Sequence, residues 1–261
     1  MDAKSISDSG KAWYFFMIPA IRQEKILDML SGNEIIATDE IMKNLGISVS
    51  TLRRDLMKLE NESKITLLHG GGVRLAQRPV EMNISAKLEL NKEAKEKIAL
   101  KAASFIENGD VIFLDPSSTT YLMIPYLAEK SITVITNSIS HINQLVAFDI
   151  PSIMVGGSIK KTTNSCIGPI AEMTLKTLYF NKCFLGASGF SIPSGITNHD
   201  INEQVIKQLA LQNSSKPYIL MDHTKYGIIT MVKVANLDEY PILIDEIPKG
   251  LEGYGNFILC E

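Results

Sequence analysis

From residue 91 onward, short apolar runs alternate with helical stretches, and this alternation constrains the fold more than any other feature of the chain. A helix over EAKEKIALKAASFIE, the strand DVIFLD, a helix near Tyr121–Lys130, the strand ITVITN and a helix at Ile139–Phe148 succeed one another as βαβ units do. PSIMVGG, NKCFLGASG, KPYILMD and PILID continue the pattern, separated by helical stretches near Ala171–Leu178 and Asn202–Asn213. Runs that are apolar throughout suit strands buried on both faces. An α/β domain with a mostly parallel sheet is therefore expected over residues 91–261.

Ahead of it the periodicity is purely helical and the segments are short. Ile21, Ile26, Leu27 and Leu30 share one face of a first helix that ends at Gly32 and Asn33. Thr38 is placed to cap a second helix, with Ile41, Met42 and Leu45 inward and Gly46 supplying the turn. Ser48 caps a third, in which Val49, Leu52, Leu56 and Leu59 recur at helical spacing. The opposite face of that third helix carries Ser50, Thr51, Arg54 and Lys58, flanked by Arg53 and Met57, and no carboxylate. Lys64–His69 and Val73–Ala76 then bracket Gly70-Gly71-Gly72, the pattern of a two-stranded hairpin. Three helices and a hairpin make a winged helix, here expected over residues 19–76.

At 261 residues the chain exceeds the ~100–200 of an ordinary domain, so two unequal units are expected. An apolar share of 45% with 21% charge excludes wholesale disorder. The net charge of −3 excludes a uniformly basic coating protein, so any nucleic-acid surface must be local. It is: Arg53, Arg54, Lys58, Lys64, Arg74 and Arg78 face only Asp55, Glu60 and Glu62 between residues 48 and 78, whereas residues 81–261 carry fifteen cations and nineteen carboxylates. Residues 1–18 read as a leader or a misassigned start, and 77–90 as a linker that turns helical. Ala12–Ile21 is too short for the ~20 residues of a membrane span. Cys166, Cys183 and Cys260 are few and odd in number, which suits a reducing cytoplasm. His69, His141, His199 and His223 lack metal-ligand spacing, and no Walker loop, G-x-G-x-x-G or G-x-S-x-G occurs, so neither metal nor cofactor is expected.

Ligands of open α/β sheets sit beyond the carboxyl ends of strands. Four such ends here are rich in hydroxyls or glycine: Asp115-Pro-Ser117-Ser118-Thr119-Thr120, Thr136-Asn137-Ser138, Gly156-Gly157-Ser158 and Gly186-Ala-Ser-Gly189. Hydroxyls, backbone N–H groups and helix dipoles together favour an anion, and Lys225 in Asp222-His-Thr-Lys supplies a counter-charge. The ordinary alternative is that each loop merely caps a helix.

Ser48-Val-Ser-Thr-Leu-Arg-Arg-Asp-Leu56, with Leu59-Glu60 and His69-Gly70-Gly71, resembles the helix-turn-helix signature of the DeoR family of bacterial transcriptional regulators. Asn91–Ala99, Gly109–Asp115, Thr133–Ser138, Gly156-Gly157 and Asp222–Lys225 match that family's sensor domain in the same order. The resemblance implies a repressor of a sugar or polyol catabolic operon, working as a homodimer or homotetramer on operator DNA and controlled by a phosphorylated sugar. It implies a sensor fold similar to sugar-phosphate isomerases, with phosphate held at Ser117–Thr120, Thr136–Ser138 and Lys225. It also assigns DNA contacts to Ser48, Ser50, Thr51, Arg53, Arg54, Lys58, His69, Gly70 and Arg74. The family's G-T-T-T loop is Pro116-Ser-Ser-Thr-Thr120 here, and Leu67 replaces a frequent basic residue before the turn. Where the isomerases place catalytic aspartates this chain has Asn181 and Gly186-Ala-Ser-Gly189, so an isomerase-like enzyme, the rival reading, lacks its base. A ligand-independent architectural DNA binder is disfavoured by so large and loop-rich a second domain. Coupling is expected through the helix at Asn91–Glu107 or through the dimer contact.

Overall fold

The computed structural model describes residues 18–32, 35–61, 64–68, 70–75, 81–254 and 256–261. The chain divides into two compact units, Met1–Arg78 and Pro79–Glu261.

In the first unit Pro19, tolerated at a helix start because that N–H needs no partner, opens α1 (Pro19–Ser31). Strand β1 (Ile36–Ala37) leads into α2 (Thr38–Leu45), which ends at Gly46 with φ 62°, a left-handed turn that glycine adopts at no cost. Helix α3 (Val49–Asn61) and strands β2 (Ile65–Leu68) and β3 (Gly72–Leu75) complete it. Ile26, Leu30, Ile41, Leu45, Leu52, Leu56, Leu59 and Val73 form one core. The wing has three strands in the order β1-β3-β2, because Ile36 and Ala37 pair with Val73 and Gly72. Thr38 does not cap α2 through its side chain; its N–H donates to the Gly71 carbonyl at 2.8 Å and fastens the wing to the helix start. Val49, expected inside, is 67% exposed: it is the first residue of α3, a turn ahead of the packed Leu52. The inward position between those leucines goes instead to Asp55, which is buried and accepts from Gln23 Nε2 and Arg22 Nη2, each at 3.1 Å, while ion-paired to Arg22 Nε.

The second unit is built on a seven-stranded parallel sheet. Its strands are β4 (Val111–Leu114), β5 (Thr133–Thr136), β6 (Ser152–Met154), β9 (Phe180–Gly186), β12 (Ser214–Leu220), β14 (Ile242–Ile244) and β15 (Phe257–Leu259), in the order β15-β14-β12-β9-β4-β5-β6. Both faces are covered, as in parallel sheets generally. Phe113 of β4 points into one core with Leu175 and Ile206; its neighbours Ile112 and Leu114 point into the other with Ile98, Met123 and Leu145. The flanking helices are α5 (Lys92–Ser104), α6 (Ser118–Met123), α7 (Ile139–Ala147), α8 (Pro169–Leu175) and α9 (Ile201–Gln212). Sequence periodicity misses β15, the hairpin β7 (Ser158–Lys160) with β8 (Ser165–Ile167), and the antiparallel sheet of β10 (Gly189–Ser191), β11 (Gly195–Asn198) and β13 (Val232–Ala235). Strands of three or four residues are too short to establish a period of two.

Residues 81–90 are not a free linker. They contain helix α4 (Ile84–Glu89), begun by Asn83, whose side chain accepts from Ala86 N at 2.8 Å, and they pack as part of the second unit. The expected leader over 1–18 lies outside the described residues except for its last position, as do 76–80.

Chain order and sheet order together fix where a ligand can enter. From β4 the chain steps outward to β5 and β6, then returns to the opposite side of β4 to lay down β9, β12, β14 and β15. Strand order therefore reverses between β4 and β9. Loops leaving these two strands part in opposite directions and leave a crevice at their carboxyl ends.

Candidate functional site

Two surfaces collect the residues singled out by sequence. On the first unit, Ser48, Ser50, Arg53, Arg54 and Lys58 are exposed along α3 and Thr51 is half-buried. Ser48 Oγ accepts from Thr51 N at 3.3 Å and contacts Thr51 Oγ1 at 2.9 Å and Ser50 Oγ at 3.1 Å, which gathers three hydroxyls at the helix start. Behind them the Arg22–Asp55–Gln23 cluster pins α3 to α1, so the exposed face is presented on a fixed rod. In the wing, Gly70 takes φ 94° at the turn and Arg74 lies opposite Thr66, with its Nε buried and without a hydrogen-bond partner among the described residues. His69 lies outside the described residues.

On the second unit a pocket of about 310 Å³ opens at the β4/β9 crevice. Its floor is Asp115, fully buried at the end of β4. That carboxylate is ion-paired to Lys207 of α9 and accepts from Gly186 N at 2.9 Å, Ser117 N at 3.2 Å and Thr120 Oγ1 at 3.2 Å. Gly186 is required here because a Cβ would stand 2.3 Å from Ser117 Cβ. Ser117 caps α6 through Thr120 N at 3.2 Å, and Ser118 and Thr119 face the cavity. Glu203, one turn before Lys207, accepts from Asn198 Nδ2 at 2.9 Å and Thr163 Oγ1 at 2.5 Å and lies 3.3 Å from Lys160 Nζ. Burial alone would lower Lys160, but the hydrogen bond to Glu81 and the carboxylates of Glu203 and Asp200 outweigh it and hold the ammonium above its ordinary pKa.

The remaining wall is cationic. Lys225 lines it, with Lys87 of α4 and Lys95 of α5. Burial pushes the Lys95 ammonium down to about 8 and lowers Lys87 and the nearby His199 as well. The charged lining is Lys87, Lys95, Lys207 and Lys225 against Asp115, Glu203 and Asp222, one cation in excess, with Lys207 paired to Asp115, and Glu81 and Glu203 both near enough to attract Lys87. A lining with a cation in excess beside hydroxyls suits an anionic ligand.

Of the twelve residues singled out around the strand ends, Asp115, Ser117, Ser118, Thr119, Gly186 and Lys225 meet in this pocket. Thr120, Thr136, Asn137, Ser138, Gly156 and Gly157 do not line it. Thr120 turns inward to His141 Nε2 at 3.0 Å. Strands β5 and β6 lie on the outer side of the reversal, so their loops point away from the crevice and spend their polar groups on the hairpin and on α7. Asn137 Nδ2 donates to the Cys166 carbonyl at 2.8 Å, and Ser138 caps α7 and contacts His141 Nδ1 at 2.7 Å. Gly157 is small because a Cβ would meet the Ile167 carbonyl at 2.6 Å. Sequence reasoning missed Lys87, Lys95, Glu203 and Lys207. The i,i+4 pair Glu203/Lys207 beside Ile206 and Ala210 was a readable signal, a charged pair on the buried side of an amphipathic helix.

Comparison with known proteins decides what carries these two surfaces. Residues 22–78 match the DeoR-like helix-turn-helix domain and residues 90–246 the DeoR C terminal sensor domain. The chain belongs to the DeoR family. Relatives include "Uncharacterized HTH-type transcriptional regulator FruR" of Bacillus subtilis, 33% identical over 87% of this chain and 91% of that one. The HTH-type transcriptional regulator GolR of Listeria innocua is 32% identical, covering 88% and 91%. The lactose phosphotransferase system repressor of Staphylococcus aureus is 32% identical, covering 85% and 90%. Among solved structures, ribose 5-phosphate isomerase A of Methanocaldococcus jannaschii overlaps 52% of this chain and 55% of its own at 19% identity and a TM-score of 0.39. This DeoR-family protein is a DNA-binding transcriptional regulator, not an enzyme. No helix among its described residues is long and apolar enough to cross a membrane.

Proposed function

We propose that this DeoR-family regulator represses a sugar or polyol catabolic operon in the cytoplasm and releases its operator when a phosphorylated sugar fills the second-unit pocket. The observation that carries the reading is the lining of that pocket: Lys87, Lys95, Lys207 and Lys225 against Asp115, Glu203 and Asp222, beside the hydroxyls of Ser118 and Thr119. A phosphate monoester answers the cations, and a polyol chain answers the hydroxyls of Ser118 and Thr119, which can both donate and accept. The relative named as a lactose phosphotransferase system repressor is consistent with sugar-linked control.

At the other end, Ser50, Thr51 and Arg54 would meet base edges in the major groove, with Ser48 at the helix start. Arg53, Lys58 and Arg74, together with the turn at His69 and Gly70, would hold phosphates. A homodimer, or a tetramer of two such dimers, would place two α3 helices on the half-sites of a two-fold operator. The test is a thermal-shift and gel-shift series on the full chain with DNA from its own promoter. Phosphorylated sugars should raise the melting temperature and release the DNA, while their unphosphorylated counterparts do neither. Equal response to both members of each pair would refute the phosphate reading.

A further inference from the structure

The ten residues 81–90, the first described after the DNA-binding unit, form a strap across one wall of the pocket, to which they contribute Met82, Lys87 and Leu90. The strap is fastened at both ends. At its start, Glu81 accepts from Lys160 Nζ at 2.8 Å and from Thr162 Oγ1 at 3.1 Å, and Ile84 N donates to the Thr162 carbonyl at 3.2 Å. At its end, the buried Lys95 ammonium donates to the carbonyls of Lys87 and Leu90, a cation closing the carboxyl end of α4. Both fastenings lead to the cavity. Lys160 also reaches Glu203, which lines it, and Lys95 lines it directly.

Between them Lys87 stands apart. Its carbonyl is engaged by Lys95, but its half-buried ammonium makes no hydrogen bond or ion pair among the described residues; burial lowers its pKa, Glu81 and Glu203 attract it from beyond bonding distance, and Lys225 and Lys207 repel it less strongly. A partly desolvated ammonium that no acceptor or carboxylate directly satisfies is open to an anion. We propose that Lys87, with Lys225 across the cavity, binds the phosphate monoester of the effector, and that this contact tightens the strap 81–90 as the pocket fills. The proposal rests on the reading of the pocket given above and adds to it the residue and the segment through which occupancy is felt. It moves the coupling element from the Asn91–Glu107 helix to the stretch that leads directly from the DNA-binding unit.

The experiment uses the full chain, its Lys87→Met, Lys87→Arg and Lys225→Met variants, and inorganic phosphate and ribose 5-phosphate as probes. Calorimetric titration gives affinity, and hydrogen exchange of the 81–90 amides gives strap order. Wild type should bind both probes and slow strap exchange on binding. Lys87→Met should weaken both probes tenfold or more and abolish the slowing, while Lys87→Arg, which keeps the charge, restores both. Wild-type affinity in Lys87→Met alongside loss in Lys225→Met would overturn the role of Lys87 and leave the pocket reading standing. Binding with no change in strap exchange would overturn the tightening. Failure of both probes, and of every phosphorylated sugar tried, to bind wild type would overturn the pocket reading and this inference with it.

Discussion

Salt dependence is the most direct measure of whether α3 and the wing grip a duplex. Arg53, Lys58 and Arg74 are the three side chains proposed to meet phosphates in each copy, so a dimer would neutralise six. Counterion release then gives a slope of log K against log[salt] of roughly −5, a loss of about 10³ in affinity between about 50 and about 200 mM salt. Arg53→Ala removes one contact per copy and should flatten the slope by about 2. Because Arg53 is exposed, the variant should melt within about 0.5 kcal/mol of wild type, which separates lost contact from lost fold. Fluorescence anisotropy of a labelled operator fragment across a salt series reads both slopes. A variant that binds more weakly with the slope unchanged would show that Arg53 meets no phosphate. A wild-type slope near zero would remove the whole surface from the DNA interface.

Three further predictions concern what holds the two surfaces in place. Asp55→Ala removes the buried acceptor shared by Arg22 and Gln23 and should cost about 3 kcal/mol; circular dichroism melts should show the loss, and unchanged stability would mean the cluster does not tie α3 to α1. Lys207→Met leaves the buried Asp115 carboxylate without its counter-charge and should cost about 3–5 kcal/mol in urea unfolding; Asp115→Asn added to it should recover most of that, and a double variant as unstable as the single would refute the electrostatic cause. His141, fully buried between Thr120 and Ser138, has its pKa pushed down by burial to about 4, an effect only partly offset by Asp115. The unfolded chain takes up that proton near pH 6.5 and the folded one does not. The contribution is therefore intact above about 6.5 and falls away as pH drops toward 4, by at most about 3 kcal/mol. His141→Gln should make stability less steep over that window, and an equally steep profile would assign the acid sensitivity elsewhere.

The parallel sheet was legible because short apolar-rich runs, such as VIFL in β4 and CFL within β9, alternate with helical stretches, and the winged helix because Leu52, Leu56 and Leu59 keep a helical period. What local pattern cannot carry is which strand ends share a crevice. Thr136-Asn137-Ser138 looks as polar and as loop-like as Ser117-Ser118-Thr119, yet only the latter follows a strand at the reversal of sheet order. Asp55 shows the same limit at smaller scale. Its position belongs to the inward stripe of α3, but only the presence of Arg22 and Gln23 on a neighbouring helix makes a buried carboxylate tolerable there. Lys87 was hidden for the opposite reason: it sits in a mixed, proline-bearing stretch with weak periodicity, and its importance comes from a cavity built by strands far along the chain.

The pocket's carboxylates explain how a crevice of this kind can sense rather than catalyse. Asp115 is held by Lys207 and the Gly186 amide, Glu203 by Thr163, Asn198 and Lys160, and Asp222 by Asn91 and Thr224. A general base must be free to approach and take a proton; both oxygens of Asp115 and of Glu203 already receive donors, and Asp222 is fixed through its Oδ1. Binding energy that an enzyme would direct at a transition state is then available to shift a conformational equilibrium. Moving a two-state population from 99:1 to 1:99 needs about 5.5 kcal/mol of differential affinity. Charge-assisted hydrogen bonds contribute about 1.5–3 kcal/mol each, so two or three that form only when the strap is drawn in would suffice. Lys87 and Lys225 can supply two of them. On that arithmetic Lys87→Met should leave a regulator that still folds and still grips DNA but needs far more effector to let go, because the contact that distinguishes the two states has been removed while the surface that meets the duplex has not.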